Sequence, residues 1–184
     1  AINVAKKNLK KYKINFKKIK GEDLDFINQL DFIFSLGVIH HIPNYDKVLK
    51  NIYNSLKPKG EFIVWVYGKE QNYLYLLIFN NLRRLTIHLP DSLLRILSIK
   101  LNIFTYVYGF FCNFLKLPLR EYFLNVFNKC SFEKRTYIIF DQLNPSYAKY
   151  FTKLELYNSL KKAGFKTIDI YSRYNYSWTA ICKK

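Results

Sequence analysis

Apolar residues along the chain follow two rhythms, a continuous one and a three-to-four-residue one, and the two alternate. The run Asp31-Phe32-Ile33-Phe34-Ser35-Leu36-Gly37 is almost wholly apolar, rich in β-favouring residues and closed by glycine, the pattern of a strand buried on both faces of a parallel sheet. From Asn44 onward Val48, Leu49, Ile52 and Leu56 recur at helical spacing. Asn44 is placed to cap that helix and Asp46 to meet its positive end. Lys57-Pro58-Lys59-Gly60 stops it, and Phe62-Ile63-Val64-Trp65-Val66-Tyr67 is a second buried run. Strand, helix and strand joined in this way predict one right-handed βαβ unit.

On either side the patterns are shorter. Ala5, Leu9 and Tyr12 line one helical arc with Lys6, Lys7, Lys10, Lys11 and Lys13 on the other, a solvated lysine face. Ile14 to Lys20 alternates and predicts a short strand ending at Gly21, followed by the acidic cluster Glu22, Asp23 and Asp25. Between Asn72 and Asn128 apolar residues crowd into three stretches, Tyr73 to Phe79, Leu93 to Leu97 and Leu101 to Leu115, broken at Pro90 and Pro118. They predict three helices, one starting near Asp91. The uncharged stretch Leu101 to Leu115 falls short of the roughly 18 residues that a membrane-spanning helix needs. Thr152-Lys153-Leu154-Glu155 is a capping box for a helix that carries Leu156, Leu160 and Ala163 and stops at Gly164. Phe165 to Tyr171, a turn near Ser172-Arg173, and the alternation of Tyr174, Tyr176, Trp178, Ala180 and Cys182 predict a hairpin.

Composition narrows the function. The 184 residues, half of them hydrophobic, suffice for one domain with a core. A net charge of +17 attracts polyanions, but the lysines accompany abundant Asn, Ile, Tyr and Phe along the whole chain. That is a global bias, and the lysine helix lacks interleaved aromatics, which argues against nucleic acid. Cys112, Cys130 and Cys182 are far apart, odd in number and without metal-ligand spacing, which fits a reducing cytoplasm; the N-terminus lacks the apolar region of a signal peptide. Ligands of open α/β sheets bind beyond the carboxyl ends of strands, so the loop Val38 to Pro43 and the tip at Tyr67-Gly68 are where a site belongs. The adjacent His40 and His41 point apart and have no partner at ligand spacing, so no metal site is expected. An imidazole there could act as a general base.

The βαβ residues, with Gly37-Val38-Ile39-His40-His41 after the first strand and Leu56-Lys57-Pro58-Lys59-Gly60 before the second, resemble the class I S-adenosylmethionine-dependent methyltransferases of the small-molecule type. The resemblance implies a partial Rossmann-like α/β sheet with helices on both faces, a helical insertion at 70–130 after the fifth family strand, and a final antiparallel strand. It also implies S-adenosylmethionine as cofactor, touched by Glu22, Asp23 and Leu24 at the adenine and by Ser35, Leu36 and Gly37 along the cleft. Tyr67, Asp141 and Tyr147 are expected at a small-molecule acceptor, and His40 or His41 as a catalytic base. The family's glycine-rich first strand and the acidic end of its second have no counterpart, so residues 1–184 read as one truncated methyltransferase domain with weak cofactor binding and an exposed, apolar edge strand. In the insertion, Arg83, Arg84, Arg95 and Lys100 could meet anionic lipid headgroups while apolar residues dip into a membrane, which would suit a lipid-linked acceptor. The alternative function is a non-catalytic basic module on a degenerate methyltransferase fold, binding nucleic acid or a membrane surface.

Overall fold

The computed structural model describes residues 2–70, 72–144 and 147–184. Its centre is a mixed four-stranded sheet. β1 (Leu30–Leu36) runs parallel to β2 (Leu56–Tyr67), with Phe34 opposite Ile63 and Leu36 opposite Trp65. The crossover between them is α2 (Tyr45–Ser55). β3 (Thr167–Arg173) and β4 (Ser177–Lys183) form the hairpin, and β4 inserts antiparallel beside β2, giving the order β1-β2-β4-β3.

One face of this sheet carries the main core. Phe62, Val64 and Val66 alternate inward along β2, and Ala180 and Cys182 match them on β4. Against them pack Val48, Leu49 and Ile52 of α2 and Leu156, Leu160 and Ala163 of α7 (Lys153–Ala163). α7 opens with the capping box: the Thr152 hydroxyl accepts from the Glu155 N–H, and the Glu155 carboxylate accepts from the Thr152 N–H. It stops at Gly164, whose φ of +123° and whose ring contact with Tyr53 leave no room for a side chain. α2 and α7 cover this face; the opposite face meets the insertion helices at Trp65 and Tyr67 and bears exposed Phe32, Phe34 and Tyr171 elsewhere.

The insertion builds a second core. α3 (Tyr73–Thr86), α4 (Asp91–Phe111), α5 (Arg120–Asn125) and α6 (Phe132–Leu143) surround Leu94, Cys112, Phe123, Phe127, Ile139 and Leu143. α4 starts at Asp91 as expected, but the stretches 93–97 and 101–115, read as two helices, are joined in it through Ser98-Ile99-Lys100 as far as Phe111. With 21 residues it is long and apolar enough to cross a bilayer by length and composition, although one side of it packs on α6.

Three expectations fail locally. Residues 14–20 form no strand, because no neighbouring strand offers them a ladder; only α1 (Ile2–Asn8) precedes them. Asn44 precedes α2 without a side-chain cap bond, whereas Asp46 does lie in the first turn of α2 and also pairs with Lys162 of α7 at 2.8 Å. Arg83 does not reach solvent to meet a headgroup: it is 7% exposed, with its donors turned into the protein.

Candidate active site

The carboxyl ends of β1 and β2 face the insertion across a cavity of about 660 Å³. Gly37, at φ +75°, turns the chain off β1 where Trp65 stands beside it, and the register of the parallel pair sets Trp65 and Tyr67 on one face of β2. The insertion closes the other walls with Leu74, Tyr75, Ile78, Tyr122, Phe123 and Ile138.

A segment after α6 laces the strand ends together. The Lys149 N–H donates to the His40 carbonyl at 2.8 Å, and the Phe151 N–H to the Tyr67 carbonyl at 2.9 Å. His41 Nδ1 lies 3.0 Å from the Tyr147 carbonyl. A carbonyl only accepts, so Nδ1 carries the proton and the neutral ring presents Nε2 as its basic atom. His40 is different. It is fully buried, stacks on Tyr67 with centroids 3.9 Å apart, and neither ring nitrogen has a hydrogen-bond partner among the described residues. Burial first, then the neighbouring His41, pushes its imidazole down to about 3, so it remains uncharged at neutral pH.

Tyr67, Asp141 and Gln142 form a polar hub at the cavity. The Tyr67 hydroxyl donates to Asp141 Oδ2 at 3.3 Å and accepts from Gln142 Nε2 at 2.6 Å. Gln142 Oε1 in turn accepts from the hydroxyls of Tyr75, at 2.7 Å, and Tyr150, at 3.2 Å. Arg83 backs this hub, donating from Nε to the Gln142 carbonyl at 3.0 Å and from Nη2 to the Tyr150 hydroxyl at 3.1 Å. Burial, with Asp141 and Tyr150 nearby, raises Tyr67 far above the ordinary tyrosine range, so it stays a neutral phenol and a donor.

His40, His41, Tyr67, Asp141 and Tyr147, chosen from sequence, thus converge around one strand end. Glu22 and Asp23 stand elsewhere: they form a single 3₁₀ turn held to α2 by the Asn51 amide, which donates to the carbonyls of Gly21 and Glu22. Leu24 packs on the main core, and among the described residues no hydrogen bond joins this turn to Ser35, Leu36 or Gly37. Sequence reasoning missed Gln142, Tyr150, Tyr176 and Arg83. Only Trp65 carried a signal, since alternation along β2 puts it on the Tyr67 face.

The sheet and its crossover are of the kind found in solved S-adenosylmethionine-dependent methyltransferases. Residues 1–64 match the methyltransferase domain family. A stretch of 42 residues, 23% of this chain and 10% of the relative, is 43% identical to phosphoethanolamine N-methyltransferase 2 of Caenorhabditis elegans. An O-methyltransferase family protein from Burkholderia thailandensis superposes over 100% of this chain and 40% of its own, with a TM-score of 0.56 at 9% identity. An S-adenosylmethionine-dependent methyltransferase from Thermotoga maritima does so over 97% and 68%, with a TM-score of 0.52 at 14% identity.

S-adenosylmethionine is the cofactor of this class, and the described residues fit it only in part. The end of β1 supplies one wall, with Gly37 leaving its backbone open. Among the described residues no glycine-rich turn follows a strand beside β1, which is an edge strand, so the cradle for the methionine and ribose ends is not built by them.

Proposed function

We propose that this chain forms the acceptor-binding part of a methyltransferase domain that alkylates a small molecule, with the acceptor seated in the cavity between the strand ends and the insertion. The observation that carries this reading is the 660 Å³ space, largely apolar, with the Tyr67–Gln142–Asp141 hub at its sheet end. The hub orients the acceptor and the apolar walls exclude water, while His41, the proposed base, stands beside Tyr67 outside the lining of the cavity. His40 serves the site by stacking under Tyr67. Glu22, Asp23, Leu24, Ser35, Leu36 and Gly37 remain the proposed cofactor contacts, and the unpaired Cys112, Cys130 and Cys182 fit a cytoplasmic protein.

The test uses the whole protein with radiolabelled S-adenosylmethionine and panels of small amines, phenols and carboxylic acids. Ile138→Trp, which fills the cavity, should abolish transfer to every acceptor while S-adenosylhomocysteine binding, measured calorimetrically, persists. Undiminished transfer in that variant would place the acceptor elsewhere.

A second reading concerns where the acceptor comes from. The outward side of α4 presents Ile96, Ile103, Val107 and Phe110, all at least half exposed, followed by Phe114 just beyond the helix. The exposed charges of the insertion around them include Arg84, Arg95, Lys100 and Lys116, and Asp91 is the one acid on α4. An apolar helix side flanked by cations is the pattern of a helix lying in an anionic headgroup layer. On this reading the acceptor is lipid-linked and enters from the bilayer. Co-sedimentation with phosphatidylglycerol vesicles but not with phosphatidylcholine vesicles would support it, and indifference to lipid charge would remove it.

A further inference from the structure

The cavity contradicts the charge of the chain around it. Lys and Arg account for 30 of the 184 residues, yet none of them, and no histidine, lines the cavity, whose single ionisable carboxylate is Asp141. An anionic ligand would find no cation there.

The walls at the sheet end are aromatic faces. Trp65 meets Tyr67 edge-on with centroids 5.4 Å apart, Tyr67 stacks on Tyr150 at 5.3 Å, and Tyr176 joins Trp65 at 6.2 Å and Tyr122 at 4.4 Å. The hydroxyls of Tyr67 and Tyr150 are already engaged with Asp141, Gln142 and Arg83, His40 and Tyr150 stack on Tyr67, and the Arg83 guanidinium lies 5.9 Å from the Tyr150 centroid, so the electron-rich face left to a ligand is that of Trp65. A third feature is independent of the rings. Asn72 also lines the cavity and donates through Nδ2 to the carbonyls of Gly68 and Asn175, which fixes its orientation. Its Oδ1 is buried and has no partner among the described residues. A buried acceptor without a donor is costly, and a ligand N–H would satisfy it.

We propose that the cavity binds an amine in its cationic form, the ammonium resting on the face of Trp65, with Asp141 as counter-charge and Asn72 Oδ1 as hydrogen-bond acceptor. Aromatic faces attract cations most strongly where water is excluded, and the carboxylate adds Coulombic attraction. Arg83 does not oppose this from within the site, since it lies behind Gln142 and Tyr150 and spends donors on them. The proposal names the acceptor class for the site described above and rests on that cavity being the acceptor site; the ammonium is the bound form, and its nitrogen gives up a proton to solvent before its lone pair can take a methyl group, but binding needs neither the cofactor nor turnover.

Three probes of one shape and different charge test it by ligand-observed NMR on the chain as it stands: tert-butylammonium, tert-butanol and pivalate. The expected result is binding of tert-butylammonium about tenfold tighter than tert-butanol, with pivalate unbound. Asp141→Asn, at an exposed position, should weaken the ammonium severalfold without changing the fold by circular dichroism, and Leu74→Trp should block all binding. Equal affinity for the alcohol, preference for pivalate, or no binding of any probe would each overturn the proposal. Ammonium binding without methyl transfer by the whole protein would instead count against the enzymatic reading and leave this one standing.

Discussion

α2 and α7 on the sheet, and α4 in the insertion, each bury one side in a hydrophobic cluster, and their outer sides differ. The outer positions of α2 are Lys47, Lys50 and Asn54 and those of α7 include Asn158, Lys161 and Lys162, whereas α4 turns Ile96, Ile103 and Val107 outward. A helix meant for water places charge opposite its core; one that repeats apolar residues there is built for a neighbour other than water. The two clusters also do not merge. Between them lies the seam of Tyr67, Tyr75, Arg83, Gln142 and Tyr150, and the cavity opens where that seam meets the strand ends.

The largest effect that can break this picture comes from emptying each cluster in turn. Leu156→Ala on α7 and Leu94→Ala on α4 remove fully buried side chains, and each should cost about 2–5 kcal/mol in urea denaturation. Both should lower one common transition followed by circular dichroism. Two separated transitions would mean that the seam does not couple the regions.

The seam itself comes next. Arg83→Met keeps the aliphatic stem but leaves the Gln142 carbonyl and Tyr150 hydroxyl short of a donor, a loss of about 1–3 kcal/mol. On the sheet side, His40 binds a proton only near pH 3 when folded, against an ordinary value of 6.5. Its contribution is therefore complete above pH 6.5 and is lost as pH falls towards 3, with a slope of up to about 1.4 kcal/mol per pH unit. His40→Phe can preserve the stack on Tyr67 while removing the titration, and its urea midpoint should decline less between pH 7 and 4 than that of the parent.

The smallest effect on folding is the most diagnostic of the outer surfaces. Ile103→Lys, at a position 58% exposed, should change stability by no more than about 0.5 kcal/mol and yet reduce binding to anionic vesicles. An equal loss of stability and vesicle binding would make the outer side of α4 a packing surface.

How much of this was legible in the sequence follows the range of the interactions. The βαβ unit, the capping box and the hairpin depend on local periodicity and on a four-residue motif, and all three are found where the pattern put them. α4 was read as two helices because Ser98 and Lys100 interrupt its apolar run, although a helix carries such residues without breaking. Residues 14–20 had the alternation of a strand, but alternation cannot supply a ladder partner. In the site, Tyr67 could be nominated from its place at a strand end, and Asp141 and Tyr147 only from the family resemblance. Gln142, Tyr150 and Arg83 could not, because their roles exist only where α3, α6 and the segment 147–151 meet.

The position of β4 bears on how the molecule assembles. Its pairing with β2 joins Phe62 to Cys182 and Val64 to Ala180, while β1 pairs with β2 over a much shorter separation, as in Phe34 with Ile63. The helices of the insertion also gather mostly nearby residues, so they and the βαβ unit can order early. The β3–β4 hairpin must then dock on β2 through β4, across the longest chain separation of any strand pair in the sheet. Until it arrives, β2 exposes its second edge as well as its apolar face, so the slow step of folding is the docking of β4, and it is then that intermolecular strand pairing competes most strongly.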